Sequence, residues 1–141
     1  MGQASSARPK ALSGRKSRAV AFDSSFLMAV MERPTPWKED IQQMLGAFTP
    51  VVLYSVRDEL SRLASKGDKK GRSAALALEL IERGAFSLEP DGKGKPDDEI
   101  VSFALREGAA AATIDTDLAA RLRASRVSVI ALRAGRVFSR P

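Results

Sequence analysis

Residues 19–23 read Ala-Val-Ala-Phe-Asp, and residues 109–115 read Ala-Ala-Ala-Ala-Thr-Ile-Asp. Each is a short apolar run closed by an aspartate. A run of four to six apolar residues with no polar alternation fits a strand covered on both faces. Similar runs recur at 51–54 (VVLY), 85–88 and 127–132 (VSVIAL). Between them lie segments of helical periodicity: 24–30, 37–47, 55–65, 73–83, 96–107 and 116–124. Ser24 or Ser25 is placed to cap the first and Ser55 the third, while Gly67, Gly84 and Gly108 stand where helices stop. Pro96 with Asp97, Asp98 and Glu99 is a typical first turn. Strands alternating with helices predict the α/β class: a mostly parallel sheet between two helical layers, a three-layer α/β/α sandwich.

The chain has 141 residues, enough for one domain, and is 44% hydrophobic and 28% charged, the balance of a globular protein. No apolar run approaches the 18 or so residues of a membrane span, and the N-terminus lacks the apolar stretch of a secretory signal. A cytoplasmic protein without membrane contact is therefore expected. There is no Cys and no His. Disulfides, thiolate chemistry, zinc ribbons and His-based triads are excluded, so catalysis must use carboxylates, hydroxyls, Lys, Arg or an oxygen-ligated metal.

The net charge of +6 is uneven. The first 18 residues carry Arg8, Lys10, Arg15, Lys16 and Arg18 and no acid. Residues 1–17 read as a basic, flexible arm, either a plain terminal extension or a binder of phosphate backbones. Residues 18–135 read as the folded domain and 136–141 as a C-terminal tail. Lys66, Lys69, Lys70 and Arg72 fall in a predicted loop, SKGDKKGR, and Arg133, Arg136 and Arg140 end the chain. Three basic clusters favour an anionic partner. The segment DGKGK at 91–95 matches neither phosphate-loop nor dinucleotide fingerprints and reads as a flexible loop.

Four acids share a placement. Asp23 and Asp115 follow strands directly, at the carboxyl edge of the sheet, where open α/β sheets carry their sites. Glu59 lies three residues after Val56 and four before Leu63, on the apolar face of its helix. Asp97 leads Ile100, Val101 and Ala104 at the same spacings, and Asp115 leads Leu118, Ala119 and Leu122. A carboxylate on an apolar face is costly unless paired or bound to a cation. One such acid is ordinary, as a helix-start acid or half of an ion pair; four at one sheet edge point to a cation site. An all-oxygen donor set selects Mg²⁺ or Mn²⁺.

The segments VAFDSSFLM, VRDELSRLA, PDDEIVSFALREGA and TIDTDL, in this order, resemble the PIN-domain nucleases over residues 18–132. The resemblance implies an α/β/α fold with a parallel sheet and a Mg²⁺- or Mn²⁺-dependent ribonuclease. It assigns Asp23, Glu59, Asp97 and Asp115 as catalytic, metal-binding acids and Asp117 as an accessory metal-binding acid. Ser24 or Ser25 and Thr113 match flanking polar residues, of which Ser24 and Thr113 are expected to contact the substrate. Pro96, where many relatives have a small residue, departs from the pattern but suits a helix start. The Glu-Leu spacing, the Asp pair and VSVIALR are more similar to archaeal proteins related to ribosome-processing PIN nucleases than to VapC toxins. The expected substrate is single-stranded RNA, with a ribosomal precursor as one target. Arg15, Lys16, Lys69 and Lys70 are the expected contacts that hold the polyanion near the acids. Two readings stay open beside this: a toxin ribonuclease paired with an antitoxin protein, and an inactive RNA-binding module. Members of the family often pair, which makes a homodimer an expectation.

Overall fold

The computed structural model describes residues 18–133 and 135–140. In chain order the elements are β1 (Arg18–Phe22), α1 (Ser24–Glu32), α2 (Trp37–Leu45), β2 (Phe48–Leu53), α3 (Tyr54–Ala64) and α4 (Lys69–Glu82). There follow β3 (Ser87–Glu89), α5 (Pro96–Glu107), β4 (Ala110–Ala112), α6 (Thr116–Ala124), β5 (Val129–Arg133) and β6 (Arg136–Arg140). Among the described residues the strands form one sheet in the order β3-β2-β1-β4-β5-β6. The first five are parallel and β6 is antiparallel to β5. Helices α1, α3 and α4 pack on one another and α5 packs on α6, the grouping that right-handed crossovers in both directions from β1 and β4 produce. This is the expected α/β/α sandwich.

The strand order reverses between β1 and β4. Chain leaving β1 turns towards β2, and chain leaving β4 turns towards β5, so a crevice opens beyond their carboxyl ends. Register brings the two exits level: Phe22 pairs with Ala112, and the Asp23 N–H donates to the Ala112 carbonyl at 2.9 Å. Asp23 and Thr113 are therefore next-door neighbours. Phe22 anchors this exit from below, its ring edge-on to Phe26, Trp37 and Phe86 with centroids 5.2–5.5 Å apart. β4 is all alanine and wholly buried. Alanine is a weak strand former, but its small side chain lets helices close over a central strand, and packing overrides propensity.

Several boundaries differ from expectation for identifiable reasons. β2 begins at Phe48 rather than after Pro50. Pro50 precedes Val51, where β3 joins the ladder, so it lies where the strand has a neighbour on one side only, a position proline tolerates. The loop expected over 65–72 is shorter. Asp68 caps α4, accepting from the Gly71 N–H at 2.7 Å, so Lys69, Lys70 and Arg72 lie in the first turn of a helix. Gly71 is needed there: a Cβ would sit 2.9 Å from the Leu63 carbonyl oxygen of α3. Asp23 and Leu53, not Ser24, Ser25 or Ser55, hold the N-cap positions of α1 and α3.

The expected tail at 136–141 is mostly strand. Residues 136–140 pair with β5, and the buried carboxylate of Asp40 on α2 fixes their start. Asp40 accepts from Arg136 Nε and Nη2 at 3.0 and 2.8 Å and from the Val137 N–H at 3.2 Å. The forked Arg136 bond and the Val137 amide hold the Asp40 carboxyl below its ordinary range against the opposing effect of burial. This contact joins α2 to β6 across 96 residues of chain and carries no signal in local sequence.

Candidate metal and nuclease site

Asp23 stands at the N-cap of α1, yet its side chain does not cap the helix. It is 4% exposed and turned to Ser25 and Thr113 instead. Its Oδ2 accepts from the Ser25 hydroxyl at 2.6 Å and from the Thr113 hydroxyl at 2.7 Å. Both hydroxyls are held in turn by backbone amides. Ser25 Oγ accepts from the Ile114 N–H at 3.2 Å, and Thr113 Oγ1 accepts from the Asp115 N–H at 3.0 Å. Each hydroxyl takes one proton from the main chain and gives its own to the carboxylate. The turn after β4 thus orients the acid after β1.

Glu59 is half-buried on α3, and its Oε1 accepts from the buried Ser24 hydroxyl at 2.9 Å. Asp115 is exposed at the N-cap of α6, where Oδ1 accepts from the N–H groups of Asp117 and Leu118 at 2.9 and 3.0 Å. Asp97 lies in the first turn of α5, one residue after Pro96. Its carboxyl is pushed above the ordinary value, first by burial and then by repulsion from Asp23, Asp115 and Glu59; Arg121 acts the other way. The repulsion has one geometric meaning: all four acids share one region of space.

They line a single cavity of about 530 Å³ at the carboxyl edge of the sheet. Ser24, Ser25, Lys69 and Lys70 also line it. Thr113 lies beneath, 1% exposed, and acts through Asp23. Asp117 is exposed on α6 and does not line the cavity; its N–H serves the Asp115 cap. Arg15 and Lys16, with the rest of the expected arm, lie outside the described residues. Glu32 and Met28 line the cavity as well and were not singled out from sequence. A signal existed: Ser25, Met28, Ala29 and Glu32 share the i, i+3, i+4, i+7 face of α1.

The segment at 91–95, expected to be flexible, is held at both ends. Asp91 accepts from the Ser55 N–H at 3.0 Å and the Lys93 N–H at 3.2 Å, and Glu99 from the N–H groups of Gly92 and Gly94, each at 2.9 Å. Burial pushes the Asp91 carboxyl up, but its bonds to Ser55 and Lys93 outweigh this and hold it below the ordinary value. The loop ties the helix bearing Glu59 to the helix bearing Asp97.

The donor set fits a hard divalent cation. All four acids offer carboxylate oxygens. Among the described residues, Asp23 keeps Oδ1, Glu59 keeps Oε2, Asp115 keeps Oδ2 and Asp97 keeps both oxygens without a hydrogen-bond donor. Among the described residues, no group of three or more carboxylates lies at ligand spacing.

A model of the PIN like domain matches residues 20–135, most of the chain. The chain belongs to the PIN like domain family. Among solved structures, this PIN like domain is similar to "Structure of the PIN domain endonuclease Utp24", with a TM-score of 0.73 and 22% identity over 87% of this chain and 92% of that one. It is also similar to a domain of a functionally unknown protein from Methanocaldococcus jannaschii DSM 2661, with a TM-score of 0.62 and 20% identity over 84% and 93% of the two chains. At these identities the likeness is one of fold. No curated protein matches. Among the described residues, no helix is long and apolar enough to cross a membrane.

Proposed function

We propose that this PIN like domain is a Mg²⁺- or Mn²⁺-dependent endoribonuclease that hydrolyses phosphodiester bonds in single-stranded RNA. The observation that carries this is the meeting of Asp23, Glu59, Asp97 and Asp115 in one cavity, each with an oxygen free to ligate. A divalent ion held by these acids would supply charge stabilisation at the phosphate and a water acidic enough to act as nucleophile near neutral pH. The residues of the chain do the rest. Ser25 and Thr113 fix the plane of the Asp23 carboxylate, and Ser24 fixes Glu59. Asp115 is fixed by the amides it caps. Lys69 and Lys70, on the cavity wall, draw a phosphate towards acids that would otherwise repel it. A flexible strand can thread its phosphates into such a cleft, whereas a duplex presents a stiff, wide surface.

The test is cleavage of total RNA with Mn²⁺, with mapped ends, beside the Asp97→Asn protein and an EDTA control. Expected are metal-dependent cuts that Asp97→Asn abolishes while its melting temperature stays level or rises. Full activity of that variant would overturn the assignment. Cuts confined to ribosomal precursors would mark a processing role. Growth arrest relieved by a neighbouring gene would mark a toxin with an antitoxin partner, and RNA binding without cleavage an inactive module.

A further inference from the structure

The acidic cavity does not end at its basic wall. A second depression of about 550 Å³ adjoins it, and the two share Ala29, Glu32, Lys69 and Ile114. The second runs from the C-terminal end of α1 to the end of β5. There the character of the lining changes. The four clustered acids are gone; Arg33 and Arg133 take their place, with Lys69 at the junction.

Those two arginines are uncommitted. Among the described residues neither forms an ion pair, whereas Lys69 lies 3.4 Å from Glu32, Arg121 2.7 Å from Asp98 and Arg136 2.8 Å from Asp40. Both are exposed but positioned. The Thr35 hydroxyl donates to the Arg33 carbonyl at 2.9 Å, which fixes the turn after α1. The Arg133 guanidinium lies over the Phe138 ring, 5.1 Å from its centroid, a contact that restricts the side chain and leaves its N–H donors without a carboxylate among the described residues. Between the basic end and the acids stands Ile114, an apolar side chain 45% exposed and bordering both depressions. Free cations reached over an apolar sill suit a strand that carries phosphates on one side and bases on the other.

We propose that the second depression is the track for the RNA strand on one side of the scissile bond, with Arg33 and Arg133 contacting backbone phosphates and Ile114 meeting a base. The proposal rests on the endoribonuclease reading for its substrate. The track supplies the attraction that the acid cluster cannot.

The probe is a labelled 20-nucleotide oligouridylate, bound to the full chain and followed by fluorescence anisotropy across a salt series, in EDTA and again with Ca²⁺. Three proteins are compared: wild type, Arg33→Ala/Arg133→Ala, and a control, Arg83→Ala/Arg106→Ala, which removes two exposed cations from helix ends at the amino edge of the sheet. Loss of two phosphate contacts on a single strand lowers the slope of log affinity against log salt by about 1.4. Expected is that loss in the Arg33/Arg133 variant, with affinity at low salt at least tenfold weaker, and a slope unchanged in the control. An unchanged slope in the Arg33/Arg133 variant, an equal loss in the control, or no RNA binding by wild type in either condition would overturn the track. Hydrolysis of bis(p-nitrophenyl) phosphate by wild type with Mn²⁺ reports on the acid cavity separately. If wild type hydrolyses the ester but the slopes do not differ, the track fails and the nuclease reading stands. If the slopes differ but neither ester nor RNA is hydrolysed, the nuclease reading fails and the track remains as an RNA-binding surface.

Discussion

Replacing Thr113 by valine isolates the wiring that orients Asp23. Valine has nearly the same shape, so at a position 1% exposed the change removes a hydroxyl and little else. The 2.7 Å bond donated to Asp23 Oδ2 and the 3.0 Å bond accepted from the Asp115 N–H go with it, and so does the 3.2 Å contact with the Ser25 hydroxyl, which shares the same acceptor and adds little of its own. The first reaches a charged acceptor and contributes about 1.5–3 kcal/mol. The second is a bond between neutral groups and contributes about 0.5 kcal/mol. The added methyl returns about 0.8 kcal/mol through burial. The net loss is about 2 kcal/mol, which for a chain of this size lowers Tm by about 8 °C. Thr113→Ser keeps both bonds and loses one methyl, at about 1 kcal/mol. Urea unfolding gives the stabilities, and Mn²⁺-dependent RNA cleavage reports the orientation of Asp23. The valine variant should lose cleavage as well as stability; the serine variant should keep most of its cleavage. A valine protein within about 0.5 kcal/mol of wild type, the scatter of ordinary surface changes, would refute the proposed wiring. So would a serine variant that cleaves no better than the valine one.

Asp97 binds its proton more tightly folded than unfolded, so its ionisation weakens the fold as pH rises from its ordinary 3.8 through its raised value. Asp97→Asn should therefore match wild type in stability at low pH, gain on it across that window and keep a constant margin above it; the reverse trend in pH-dependent melting would contradict the crowding of acids. Mn²⁺ at 100 times its Kd should raise stability by about 2.7 kcal/mol over EDTA, read as a higher Tm, and Asp97→Asn should blunt the rise. Asp40→Asn should free the start of β6, seen as faster hydrogen exchange at Val137 and its neighbours with little change at β1; the lowered Asp40 carboxyl predicts the same release in wild type only well into acid. Gly94→Ala should loosen the 91–95 loop and speed its proteolysis, because the new Cβ would lie 2.6 Å from Glu99 Oε2.

The acids were legible because each left a local trace. Asp23 and Asp115 close apolar runs, and Glu59 and Asp97 fall on apolar helical faces, where an uncompensated charge is out of place. What surrounds them was less legible. The capping role of Asp68, three residues before Gly71, was a readable signal that a loop-like composition concealed. Arg133 and Arg33 are far apart in sequence, and each taken alone is an unremarkable surface cation. The salt bridge between Asp40 and Arg136 joins a helix to a strand near the chain's end, and nothing local to either residue announces it.

Periodicity and composition, both local, determined the class of fold: strands buried on two faces, helices with one apolar side, and no Cys or His to support other chemistries. They also marked which carboxylates lie on the wrong face for ordinary solvation. Only tertiary structure decided which strands became neighbours. The reversal of order between β1 and β4, and the level register of Phe22 with Ala112, put Thr113 beside Asp23 and opened one crevice for four acids distant along the chain. Strand pairing is a choice among non-local alternatives of similar local energy, settled by how the whole core packs, so it is not written in any single stretch of sequence.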